Sequence, residues 1–507
     1  MKKIALSLMA FGLFLGSINS KTHSDKTFLM PRDQISNLAM EYTTWHRNLH
    51  KKPDTLYNGT IQFVPFYQKS DNKTDIGKYL GFDRGSGIGI VNEISVDNPV
   101  AAGQSSGLDN MKNPAYMFHN RGTGAYLLNS KYSFHPYQEI YGIHLNYQQD
   151  LDGILDGLFL KIKTPIVNVK NSMDIKKVEE TIPANGNGLI DYLSGNYENL
   201  VAGNLQEPLK YAKIDGGSHS SSGVADIDLQ LGYTFWYKKN SRAALNMAMI
   251  IPTGKSVKGD YIFEPVHGNG HHWGIGLGLD TSATMWQNKN FSIEVMLVAN
   301  YRYLFEGIEK RTLNFLRPHS PENTLAKAGY YELAGEANTD GNTPLKPLAN
   351  LLTRDIRVTP GSQFDGIANL SLSWRRFIFD IGYNLYAKEE ERTQLRYLWE
   401  NDKYAVAGVT FDTAAAFNIL TAADNATSFA YDGAPANTNA AINADNIDYE
   451  SIQTPTQVTH KIYGGLGYQC DRYQYPIMLG LGGSYEFVAD NTALENWAIW
   501  GKLGISW

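Results

Sequence analysis

The chain closes on Asn496-Trp497-Ala498-Ile499-Trp500-Gly501-Lys502-Leu503-Gly504-Ile505-Ser506-Trp507. Trp497, Ile499, Gly501, Leu503, Ile505 and Trp507 fall on one side of an extended chain, and Ala498, Trp500, Lys502, Gly504 and Ser506 on the other. Successive strand residues point to opposite faces, so this stretch reads as a strand with one apolar face. Its length matches the ~9–11 residues that a tilted strand needs to cross a bilayer.

Other segments repeat the pattern. Ile227, Leu229, Leu231, Tyr233 and Phe235 alternate with Asp228, Gln230, Gly232 and Thr234. Trp273, Ile275, Leu277 and Leu279 alternate with Gly274, Gly276, Gly278 and Asp280. Twelve strands are predicted, near 59–68, 137–148, 156–166, 223–238, 242–252, 272–286, 290–305, 363–375, 377–389, 458–469, 474–488 and 496–507. Their connections sort by length. Those at 149–155, 239–241, 287–289, 376 and 470–473 are short, and the intervening ones, except 489–495, are long. Short turns at one end and long loops at the other are the habit of an outer-membrane barrel. The predicted fold is therefore all-β, a transmembrane antiparallel β-barrel of twelve strands. Hidden strands within 79–91 and 403–411 would make fourteen.

Composition agrees. Of 507 residues 19% are charged, against about 25% in a typical soluble domain, and Tyr, Phe and Trp number 31, 21 and 9. Acidic residues outnumber basic ones by 51 to 45, which argues against a nucleic-acid partner. The lone cysteine, Cys470, excludes an internal disulfide framework. Beyond the first twenty residues no apolar run is long enough for a spanning helix, so a membrane-crossing chain would have to close into a barrel. Met1-Lys2-Lys3, the apolar run Ile4 to Leu15 and the small residues Gly16, Ser17 and Ser20 read as a secretory signal peptide over 1–20. That leaves an N-terminal segment, 21–58, and the barrel, 59–507.

Within the N-terminal segment, Ile35, Leu38, Ala39, Tyr42, Trp45 and Leu49 follow helical spacing after Pro31 and Asp33. A short amphipathic helix over 33–50 is predicted, packed on the periplasmic rim; the sharper reading is a plug in the lumen. His267, His271 and His272 lie in a Gly-rich outer loop without a recognised ligand spacing, so no metal and no cofactor are predicted. Asn338-Thr339-Asp340-Gly341-Asn342 lacks the distal Glu of a calcium loop. Ser218-His219-Ser220-Ser221 and His319-Ser320 form no convincing catalytic constellation, and an enzyme is not expected.

The inward face carries the functional candidates. Alternation directs Lys161, Lys163, Asp226, Asp228, Gln230, Glu294, Arg302, Asp380, Lys388, Lys461, Glu486 and Lys502 into the lumen. Facing lipid instead would cost about 2–4 kcal/mol for a Lys or Arg near the midplane. A mixed-charge lumen reads as a water-filled path. The alternative is a lumen that its own salt bridges close.

The stretch Gly223-Val224-Ala225-Asp226-Ile227-Asp228-Leu229-Gln230-Leu231-Gly232-Tyr233, then Pro252-Thr253-Gly254 and Gly276-Leu277-Gly278-Leu279-Asp280, resembles the outer-membrane transporter family around the phenol-degradation pathway channel. That family is distantly similar to the long-chain fatty-acid channels. Lys255 stands where an acidic residue is usual. The C-terminal strand, with Leu503, Ile505 and Trp507, resembles the signal read by the barrel-assembly machinery. The resemblance implies an outer-membrane location in a Gram-negative cell, with lipid around the barrel. It also implies passive passage of small solutes, hydrophobic ones among them. The competing function is a surface barrel whose long outer loops bind a partner, with the lumen closed.

Overall fold

The computed structural model describes residues 22–44, 58–81, 89–91, 129–181, 189–198, 206–315, 329–331, 333–336, 344–401, 403–406, 408–412, 416–420, 442–470 and 475–507. The signal-peptide region, the Asn338–Asn342 motif and His319-Ser320 lie outside these residues.

Twelve strands close on themselves. They are β1 (Gly59–Ser70), β2 (Tyr137–Asp150), β3 (Leu158–Ser172), β4 (Ile227–Lys238), β5 (Ser241–Ile251), β6 (Gly274–Gln287), β7 (Phe291–Leu304), β8 (Gly361–Trp374), β9 (Phe377–Lys388), β10 (Gln457–Cys470), β11 (Ile477–Val488) and β12 (Asn496–Ser506). Each pairs antiparallel with the next, and β12 returns to β1. The seam runs from Thr60 opposite Ser506 to Ser70 opposite Asn496. Closure leaves no open barrel edge, so the ladder satisfies backbone groups that lipid could not.

Side-chain direction follows the alternation. Along β6, Ile275, Leu277 and Leu279 are exposed, whereas Gly276, Gly278 and Asp280 are buried. Leu231, Met247, Leu297, Ile381, Leu466, Leu481 and Ile499 extend the apolar belt around the wall. An exposed apolar band this continuous is a surface for lipid rather than water. Three turns at the short end, 239–240, 288–290 and 375–376, are tight. Arg375 takes φ +57° between β8 and β9, the left-handed conformation that a two-residue hairpin of this hand needs.

The structure settles the strand number at twelve rather than fourteen and corrects one expected strand. Neither hidden segment adds to the barrel. Gly89–Val91 pairs with Asn129–Ser133, and Tyr404–Val406 with Leu333–Glu336, in small sheets outside it. The strand expected over 223–238 is interrupted. Ser218–Val224 pairs with the upper half of β3, β4 with its lower half, and Asp226 sits between them at φ +64°. A non-glycine residue at positive φ cannot continue a strand. The short N-terminal helix expected within 33–50 is present as α1 (Leu38–Tyr42), and Trp45, His46 and Leu49 lie outside the described residues.

The long connections fold together into a cap with its own core. Tyr79, Tyr192, Phe315, Tyr331, Leu348, Ile356 and Ile452 are among its fully buried residues. The chain enters beneath this cap. Residues 22–30 bond to the loops: Lys26 N donates to Tyr79 O at 3.0 Å and Thr27 N to Ser451 O at 2.8 Å. The chain then descends inside the barrel to Thr44, whose N–H donates to the Asp380 carboxylate.

Glycines make room for this descent. A Cβ on Gly467 would stand 2.8 Å from Thr44 Cβ, and one on Gly480 would strike Thr44 Oγ1. Gly467→Val should therefore push the lower end of the segment off the wall. Overpacking of this kind costs about 1–3 kcal/mol, roughly tenfold in the undocked population per 1.4 kcal/mol. The measurement is thiol labelling of Thr44→Cys in a Cys470→Ser background, which should speed up by about that factor. An unchanged labelling rate would mean that the contact does not hold the segment.

Candidate functional site

The candidate site is the lumen wall together with the segment that occupies it. Nine of the sequence-derived candidates face inward and are buried: Lys161, Lys163, Asp228, Gln230, Arg302, Asp380, Lys461, Glu486 and Lys502. Glu294 is half-buried near the short-turn end of β7. Asp226 occupies the strand break, where its carboxylate accepts from the backbone of Gly254 (3.1 Å) and Asn269 (2.8 Å). Lys388, the last residue of β9, is buried on the same strand face as Asp380 at the loop end of the barrel, where it pairs with Glu391 at 2.9 Å.

The wall's charges pair partly with one another. Arg302 meets Asp228 at 2.7 Å, Lys161 meets Asp280 at 3.4 Å and Lys461 meets Glu486 at 3.0 Å. The remaining partners come from the threaded segment. Arg32 bridges Asp365 and Glu486, each at 3.0 Å. Its Nε donates to Ser36 O at 2.7 Å, and its guanidinium lies 4.5 Å from the Tyr386 ring centre. Glu41 holds Lys163 at 3.0 Å. Tyr42 donates to Asp280 at 3.0 Å while Lys161 donates to the Tyr42 hydroxyl at 2.7 Å. Lys502 donates to the carbonyls of Glu41 and Thr43 at 2.9 and 2.5 Å. Charge-assisted bonds are the stronger kind, and burial raises the cost of leaving one unmade.

Alternation read from charges alone missed the apolar part of the lumen. Leu38, Met40 and Tyr42 pack with Val64, Phe66, Val167, Val169, Met296, Val298, Ile367 and Met478 in one buried cluster. Full burial of such side chains is worth about 1.5–3 kcal/mol each. The signal was present in Met296 and Val298, which share the face of Asn300 and Arg302 on β7. Arg32, Glu41 and Asp365 were missed for different reasons. The first two are not in strands, and Asp365 shares its face with Gln363 on a strand otherwise rich in small residues.

The three loop histidines go to separate partners. His271 Nδ1 is 3.3 Å from Gly254 O. His272 lies between Phe305 O (2.9 Å) and Glu309 (2.8 Å). His267 Nδ1 meets Ser221 Oγ at 2.7 Å, a buried pair that no local spacing foretells because 46 residues separate them. Among the described residues no group of three or more His, Cys, Asp or Glu is arranged to hold a metal.

The residues read as an assembly signal lie at the barrel seam. Leu503 and Trp507 are exposed on the outer face and Ile505 is half-buried. Trp507 exchanges backbone hydrogen bonds with Gly59 at 3.0 and 3.1 Å.

No protein-family model matches the chain, and no curated protein matches it. Among solved structures it is similar to an outer membrane channel from Pseudomonas putida F1, at 9% identity over 90% of this chain and 100% of that one, with a TM-score of 0.33. It is also similar to the Pseudomonas putida toluene transporter, at 9% identity over 96% and 97% of the two chains and a TM-score of 0.31. A FadL homologue of Pseudomonas aeruginosa shares 8% identity over 95% and 99%, with a TM-score of 0.27. The fold stands on its own strand pairing.

Proposed function

We propose that the chain is an outer-membrane channel for passive passage of small solutes and that the segment 31–44 is its movable plug. The observation that carries this reading is the pairing pattern of the inner wall. A barrel built only to be closed would satisfy its charges within the wall. Here Lys163, Asp365, Asp380 and Lys502 take partners from a separate segment that crosses the lumen without joining a strand. Such contacts can be exchanged for water when the plug moves. The apolar belt supplies the lipid face, and the signal-like residues 1–20 supply export to the outer membrane.

The test is single-channel recording of the refolded mature protein in a planar bilayer. Discrete steps are expected, with ion selectivity that shifts toward cations in a Lys161→Glu/Lys163→Glu variant. The packed cap of long loops supports a second reading, a surface barrel that binds a partner. A protein that inserts fully and stays silent, in parent and variant alike, would transfer the function to that cap.

A further inference from the structure

A pocket lies between the plug and the wall formed by β1, β2 and β10–β12. Pro31, Asn37, Phe66, Ile140, His144 and Asn496 are among the residues that line it. Its free volume is about 30 Å³, room for two or three water-sized groups at ~10–15 Å³ each. Three polar atoms on its lining have no hydrogen-bond partner: His144 Nε2, Asn37 Oδ1 and Asn496 Oδ1. His144 and Asn496 are 7% and 4% exposed. A polar atom buried without a partner is costly, so three on one pocket mark a place where something polar binds.

The chemistry of that ligand follows from what is already used. The Asn496 amide nitrogen donates to Glu486 Oε2 and Leu494 O, both at 3.3 Å, so its carbonyl oxygen is the atom left for the pocket. Asn37 likewise offers an acceptor, and its side chain makes no helix-cap bond. The ligand must therefore bring donors. The four charges on the lining balance: Arg32 and Lys461 stand against Asp33 and Glu486. No net charge is left to attract an ion, and a bare ion would lose hydration without compensation. Phe66, Ile140 and Pro31 give the opposite side an apolar surface.

We infer that this pocket binds uncharged solutes that carry hydroxyl or amide donors on a small apolar skeleton, with Asn37 and Asn496 as acceptors and His144 as the third polar contact. As a statement of substrate class it rests on the channel reading; as a binding site it does not.

The experiment is saturation-transfer NMR titration of the mature protein in lipid nanodiscs. The probes are ethane-1,2-diol, acetate and ethylammonium, similar in size and different in charge. The diol should bind at least about tenfold more tightly than either ion. Asn496→Leu, which removes an acceptor, and Ala493→Phe, which fills the pocket from its loop side, should each weaken the diol by about tenfold, the scale of one good hydrogen bond. Heat-modifiable gel mobility confirms that each variant is folded, and either variant suffices if the other is not. Ions that bind as well as the diol, or a diol indifferent to the folded variants, would overturn the site. Conductance without diol preference overturns the pocket and leaves the channel standing; diol binding without conductance does the reverse.

Discussion

Replacing Arg32 with Ala should turn a silent or rarely opening barrel into one that conducts for most of the recording. The guanidinium sits where plug and wall meet. It reaches Asp365 on β8 and Glu486 on β11, donates to Asn384 Oδ1 at 3.0 Å, and lies over Tyr386. Without it, Glu486 retains Lys461 at 3.0 Å and Thr459, while Asp365 is left with the neutral Asn384 amide at 2.6 Å in place of a cation. Breaking a buried pair by removing one partner costs about 3–5 kcal/mol. The docked plug bears that cost and an undocked plug does not, because Asp365 can then be hydrated. A shift of about 3 kcal/mol is more than a hundredfold in population. Arg32→Lys keeps the charge but not the planar fork that spans two carboxylates, so an intermediate opening frequency is expected. A folded Arg32→Ala protein with the open probability of its parent would show that the plug is held elsewhere, or does not move.

The barrel was legible in the sequence because lipid imposes a strict rule. Each spanning strand must show apolar side chains at every second position, and the pattern in Ile275, Leu277 and Leu279 or in Ile499, Gly501 and Leu503 survives without any knowledge of partners. Loop sorting then supplied strand number and closure. The break at Asp226 was hidden, because a local positive φ leaves alternation on both sides almost intact. The plug was legible only as a helical stripe. Its position depends on Arg32, Glu41 and Tyr42 finding partners more than a hundred residues away, and no local spacing encodes that. The same holds for Ser221 with His267 and for the polar atoms around the pocket, where three segments distant in sequence converge.

Replacing Arg311 with Met should release the cap from the plug while leaving the barrel folded. Arg311 is fully buried in the outer loops and is the hub of a chain of charges. It pairs with Glu309 at 2.7 Å and Glu391 at 2.6 Å, donates to Ile452 O at 2.6 Å, and lies 3.7 Å from the ring centre of Phe28 on the N-terminal segment. His272 and Lys388 extend the chain at its two ends. Methionine fills much of the space but removes the shared cation of two buried carboxylates, which keep only His272 and Lys388, a change of up to about 3–5 kcal/mol. Acid should weaken the same clamp. Burial pushes the Glu391 carboxyl up, but Arg311 and Lys388 outweigh it and hold the group well below the ordinary value of 4.5. A carboxylate with a depressed pKa in the folded state contributes stability that is complete above its ordinary value and is lost as pH falls toward the folded one. The parent cap should therefore resist pepsin at about pH 4 and yield near about pH 2, in the window set by that shift. In Arg311→Met the main opposing charge is gone, so cleavage within 389–456 should begin already at about pH 4. Equal pepsin resistance of the two proteins across this range, with the variant folded, would mean that Arg311 and Glu391 do not hold the cap closed.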